Sequence, residues 1–292
     1  MGTLALPMLF ALASAFAWTG FDLFRKLLVR RLDSASLVVW LNALSAPWAL
    51  AGVAVSGQWA LGTGYWPPAL ASVVLNVLAN FLFLESVRLG RLSTSIPLLS
   101  LTPVFTALLA FPMLAELPRP VQSAGIALVV IGALLLEPPQ PSRFKLAGPL
   151  LGFIASRSNR YMVGVALLWS LTPVFDKLAL RHASAFLHTF VLTAGTGIGM
   201  ALWLAARRRG GPISPKANLG LVVVASVTSV VAVVFQLVAI KLLLVSHFEA
   251  LKRGISMTGS VLNGRVFFGE SIRTRTLVSV ALMLSGVVVL SF

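Results

Sequence analysis

Apolar residues run along this chain in long blocks, separated by short stretches where arginine, glycine and proline collect. Ten blocks approach or exceed 20 residues: 5–24, 36–56, 66–87, 94–113, 120–137, 160–180, 185–206, 218–241, 245–268 and 274–291. A helix of about 20 apolar residues crosses a hydrocarbon core of roughly 30 Å. Lipid offers no partner for free backbone N–H and C=O groups, so the blocks are predicted to be helices. Pro97, Pro103, Pro112, Pro118 and Pro120 crowd the fourth and fifth blocks, where the helix ends are least sharply marked and a tight hairpin is expected. The pattern predicts an all-α membrane protein with ten transmembrane helices.

Composition supports the same medium. The chain is 58% hydrophobic and 11% charged, against about 25% charged residues in soluble domains. The start, "MGTLALPMLFALASAFA", has the small residues of a signal-peptide cleavage site but lacks a basic leading segment. It also has an internal copy, so it is read as a helix. With no cysteine, disulfides and thiol chemistry are excluded. The net charge of +15 comes from arginines in short loops, which orient helices; it is not read as a nucleic-acid surface.

The chain repeats itself. "AWTGFDLFRKLLVRR" in the first block matches "LWSLTPVFDKLALRH" in the sixth, with Trp18 and Lys26 answered by Trp169 and Lys177. Glu116 precedes Gly132 by the same interval as Glu270 precedes Gly286. The expected units are 1–137, a Pro-rich linker at 138–159, and 160–292. Each unit has five helices, an odd number, so the second enters the membrane from the opposite side. Loop charge agrees: sixteen Lys and Arg lie in the loops after odd-numbered helices, against Arg119, Arg181 and Lys241 in the others. By that bias the odd loops are cytoplasmic and both termini outside. Inverted repeats of this kind are how secondary transporters build alternating access around a midplane site.

Ten helices, an inverted five-plus-five repeat, an early Trp…Lys in each half and "FFGE" before the last helix resemble the EamA-type branch of the drug/metabolite transporter superfamily. The resemblance covers nearly the whole chain. It implies a carrier of small metabolites, with a pocket lined by helices 1, 3, 4, 6, 8 and 9 and the last helix of each half at the periphery. It also implies cytoplasmic termini, against the loop charges. "ALKRGISMTGSVLNGRVFFGE" further resembles plastid sugar-phosphate translocators and nucleotide-sugar transporters, which carry a Lys-Arg pair in helix 9; in the former it holds the substrate phosphate. Lys252 and Arg253 match that motif, whereas the first repeat has the uncharged "PLLSLTP" there.

The pair also stands out by depth. A helix beginning after Arg253 would cover residues 254–268, about 22 Å, too short for a bilayer. The helix is therefore expected to reach back over 248–253, which puts Lys252 one to two turns inside. A charge there costs on the order of 3 kcal/mol unless it faces water, snorkels or is paired. Glu249 could neutralise either cation at i+3 or i+4. A point charge beside a planar fork suits phosphate or carboxylate. Lys177, Asn76, Asn80, Gln236, Trp18 and Trp169 are further candidates for substrate contact, with Glu249 as the charge-balancing group. Lys26 and Asn42 are weaker ones. Each amide could instead bridge helices, and each tryptophan could belong to an interfacial belt. Glu116 and Glu270 are read as complements to the dipoles of the helices that follow them. Gly125, Gly132 and Gly286 are read as sites of close helix contact. His188 and His247 are isolated, and no spacing points to a metal, a cofactor or a catalytic set.

The expectation is a secondary active transporter that works by alternating access in the lipid bilayer. It is expected to be monomeric or homodimeric and to lie in the bacterial cytoplasmic (inner) membrane. The lead substrate is an organic anion or phosphorylated compound, because the candidates are net basic, and exchange is favoured over net flux. Export of neutral or aromatic amino acids is the alternative, and a lipid-linked phosphate flippase the third reading.

Overall fold

A computed structural model of the chain describes residues 2–28, 32–89, 96–136, 156–207, 214–215, 218–268 and 274–290. These form ten α-helices. In the first half they are α1 (Gly2–Leu28), α2 (Ser34–Ser56), α3 (Trp66–Leu89), α4 (Thr102–Leu114) and α5 (Pro120–Leu136). In the second they are α6 (Arg157–Ala179), α7 (Ala185–Arg207), α8 (Leu219–Leu242), α9 (Val245–Phe268) and α10 (Thr274–Leu290). Six of them, α1, α2, α3, α6, α7 and α8, are individually long and apolar enough to span a membrane; α4, α5 and α10 are shorter. Residues 138–155 of the linker, Glu270 and the tips of several odd loops lie outside the described residues; the linker's last residues, 157–159, are the first turn of α6.

The fourth block resolves into one broken helix, joined to α5 by the short connection 115–119. A 3₁₀ segment, Ile96–Leu101, runs into α4, whose second residue is Pro103. Thr102 ties the two parts, its hydroxyl donating to the Leu99 carbonyl at 2.6 Å. Six residues at about 2.0 Å and thirteen at about 1.5 Å reach roughly 31 Å. The broken helix therefore still matches a bilayer.

Helix neighbours repeat with the halves exchanged. α3 packs on α6 as α8 packs on α1, and α4 meets α6 as α9 meets α1. The pairs α2–α7, α5–α10 and α4–α9 each join equivalent helices. This is the pairing an inverted repeat requires. α5 and α10 touch at glycines: a Cβ on Gly286 would stand 2.8 Å from the Gly125 carbonyl and 2.9 Å from the Val129 nitrogen. Only bare backbone allows that approach.

The α3, α6 and α7 ends are braced by a buried chain of side chains. Tyr65 and His188 Nδ1 are 3.0 Å apart, His188 Nε2 lies 3.1 Å from Asp176, and Ser72 donates to the same Asp176 oxygen. His188, isolated in sequence, is thus the centre of a network. Elsewhere the helices turn large apolar side chains outward, among them Phe16, Leu108, Ile198, Leu202 and Val266. A lipid-facing surface needs such residues; a soluble one would not carry so many.

Candidate functional site

α9 begins at Val245, so Lys252 lies seven residues along it, about 10 Å from its end. Its ammonium donates to Glu249 Oε1 at 2.5 Å and to Gln236 Oε1, on α8, at 3.3 Å. Trp18 Nε1, on α1, donates to the same Gln236 oxygen at 3.0 Å. The ammonium also sits 5.8 Å from the Trp18 ring centroid and 5.3 Å from that of Phe248, within cation–π range. Four of the residues singled out in sequence (Lys252, Glu249, Gln236 and Trp18) therefore form one cluster between α1, α8 and α9. Close approach of α1 and α9 is secured at Gly259, where a Cβ would overlap Thr19 at 2.3 Å.

Arg253 points elsewhere. Its Nη2 reaches Thr102 Oγ1 at 3.5 Å, the outer limit of a hydrogen bond, and its buried Nε has no partner. Ser256 Oγ, three residues on, is also buried and unpartnered. Arginine offers five donors in a fixed fork. Here the Nε donor is unmet, in a place where an unmet buried donor is costly.

Asp22 was missed. It follows Trp18 by one turn on α1, on the same face, and lies within electrostatic reach of Arg25, Arg253 and Lys252. Its side chain is 51% exposed and meets Arg25 only at 3.6 Å. An acid inside an apolar helix was a sufficient signal. Asp22 and Glu249 add two carboxylates to a region that also holds Arg25, Lys252 and Arg253.

The other candidates are not brought to this cluster. Lys177 binds Glu116 at 2.5 Å and the Leu243 carbonyl at 2.7 Å, at the end of α6. Glu116 also accepts the Val245 N–H at 2.8 Å, so it caps α9 and not the helix that follows it. Asn76 and Asn80 donate to carbonyls of their own helix, Ser72 and Asn76, at 3.2 and 2.8 Å. Trp169 lies against Phe83, centroids 5.8 Å apart, in the α3–α6 contact. It is the repeat counterpart of Trp18, with an apolar partner where Trp18 has an amide. Among the described residues no group of His, Cys, Asp and Glu could hold a metal ion.

The fold is that of a polytopic helical membrane protein. A model of the EamA-like transporter family matches residues 5–137 and 158–292, and the chain belongs to that family. Members are membrane transporters of small metabolites, and the chain is an integral membrane protein. Protein LicB of Haemophilus influenzae is 29% identical over 142 residues, 48% of this chain. The match spans 45% of that protein's length. A solved crystal structure superposes with a TM-score of 0.78 over 98% of this chain and 96% of its own, at 16% identity, a likeness of fold alone.

Proposed function

We propose that the protein carries a small metabolite bearing a carboxylate across a bacterial cytoplasmic membrane by alternating access, with Arg253 receiving the carboxylate. One observation carries this reading: Arg253, a partly exposed side chain, holds a buried Nε with no partner, while Lys252 beside it is already committed to Glu249. A bidentate carboxylate would fill the fork, and Ser256 Oγ is placed to add a hydrogen bond. Asp22 favours a second group of positive charge on the same substrate. A zwitterion would set its carboxylate on Arg253 and its ammonium on Asp22, adding no net charge to the site. Amino acids have that form, and Trp18 offers a ring to pack against their side chains.

The second reading is a phosphorylated organic anion, supported by the Lys-Arg pair itself. A dianion would need Lys252 to exchange Glu249 for substrate, a step that strands a buried carboxylate. Binding of amino acids, carboxylates without an amine, and phosphate esters to purified protein, followed by thermal shift, separates the two. The zwitterion reading expects stabilisation by amino acids, its loss in Arg253→Gln, and at least tenfold weaker binding in Asp22→Asn. Stabilisation by phosphate esters alone, unaffected by Asp22→Asn, would return the choice to the anion.

A further inference from the structure

The connections after α2, α4, α6 and α8 share one face of the molecule. There, α9 starts in an unusual way for a helix end: every side chain from Val245 to Leu251 is buried. Farther along, Lys252, Arg253, Ser256, Gly259 and Asn263 are all partly exposed, and Asp22 on the facing helix is open. The polar cluster is thus sealed toward the even-connection face and open toward the other.

What fastens the sealed face is the group around Glu116. α3, α4 and α6 pack together, and α1, α8 and α9 pack together as their inverted counterpart. Glu116, at the end of α4, and Lys177, on α6, belong to the first set; Leu243 and Val245 belong to the turn joining α8 to α9 in the second. Across that line run Lys177 to the Leu243 carbonyl at 2.7 Å and the Val245 N–H to Glu116 at 2.8 Å. The 2.5 Å Lys177–Glu116 ion pair links the two. Both side chains are nearly enclosed, at 17% and 10% exposure. On the same turn of α6, Asp176 is held to α3 and α7 by Ser72 and His188. Lys177 therefore projects from an anchored position, and its bond to the α8–α9 turn is the part free to break.

We infer that Glu116 and Lys177 form the gate that closes off the polar cluster on the even-connection face, clasping the α8–α9 turn, and that this structure is the state open to the opposite face. The inference rests on the transport reading, but its test needs no substrate, so the two can fail separately. Glu116→Gln keeps an acceptor for the Val245 N–H while removing the ion pair. Lys177→Met leaves Glu116 to cap α9 and removes the clasp from the other side.

The chain has no cysteine, so single cysteines report without interference. Ser246→Cys lies behind the gate and Asn263→Cys on the open side. Full-length protein in detergent would be labelled with a charged thiol reagent. Either gate variant is expected to raise the Ser246→Cys rate about tenfold, the shift produced by weakening one state by a few RT, and to slow labelling at Asn263→Cys. Unchanged rates at Ser246→Cys in both variants would overturn the gate. A rise at both cysteines would mean general loosening, and a rise at Ser246→Cys with no fall at Asn263→Cys a local fastener; either also overturns it.

Discussion

Among the described residues, two Lys–Glu ion pairs have the same length. Lys252–Glu249 and Lys177–Glu116 both measure 2.5 Å, and all four side chains are largely enclosed. The first lies within a single turn of α9. It therefore travels intact with that helix through any rigid-body rearrangement. The second, with its bonds to Leu243 and Val245, joins three separated stretches of chain and can exist only while they are together. One pair makes a buried cation tolerable in every state; the other favours one state over its alternative. Length and burial do not distinguish these roles. What does is whether the partners share a rigid element.

The comparison predicts that the more local pair matters more for stability. Glu249→Gln should leave Lys252 as an uncompensated charge among Trp18, Phe248 and Gln236, at a cost of about 3 kcal/mol. Denaturant unfolding of the purified protein measures it. Adding Lys252→Met should recover much of that loss, since an apolar side chain needs no partner. Glu116→Gln should cost less, about 2 kcal/mol, because glutamine still accepts the Val245 N–H and Lys177 keeps the Leu243 carbonyl. Equal losses in the two glutamine variants would erase the distinction. A double variant less stable than Glu249→Gln alone would show that the ammonium, not the pair, holds α9 in place.

Removing the acceptor shared by two donors should have a smaller effect. Gln236→Leu leaves Trp18 Nε1 without its bond, while Lys252 keeps Glu249. A loss of about 1 kcal/mol is expected, with the labelling pattern of the gate unchanged. If the variant instead alters labelling at Ser246→Cys, the cluster and the gate are coupled and the two pairs are not independent.

Much of this was legible in advance, for reasons tied to lipid. A bilayer leaves long apolar blocks no alternative to helix, so ten helices and their inverted order could be read from spacing. The cluster was half legible: Lys252, Glu249, Gln236 and Trp18 stand out as polar or amphipathic groups in apolar runs. Lys177 looked like its companion because the same rule places it inside a helix. Only three-dimensional contact shows that Lys177 is spent on Glu116, 61 positions earlier in the chain. Asp22 was hidden by its place in a repeat motif noticed for Trp18 and Lys26. His188 and Asp176, twelve residues apart on different helices, meet through the α6–α7 turn, which no helical period encodes.

The smallest effect is expected at Thr102, and it tests how free Arg253 really is. Thr102 Oγ1 already donates to the Leu99 carbonyl at 2.6 Å, leaving a lone pair for Arg253 at 3.5 Å. A contact that long is weak. Thr102→Val preserves shape and removes both bonds. The cost should stay near 1 kcal/mol, most of it from the junction between the 3₁₀ segment and α4. If Arg253 is held mainly by its own helix and the substrate, ligand affinity should fall no more than about threefold, against loss of binding in Arg253→Gln. A fall in Thr102→Val as large as in Arg253→Gln would mean that α4 aims the guanidinium. Arg253 would then join α9 to α4 much as Lys177 joins α6 to the α8–α9 turn, and binding would report the same rearrangement as the gate.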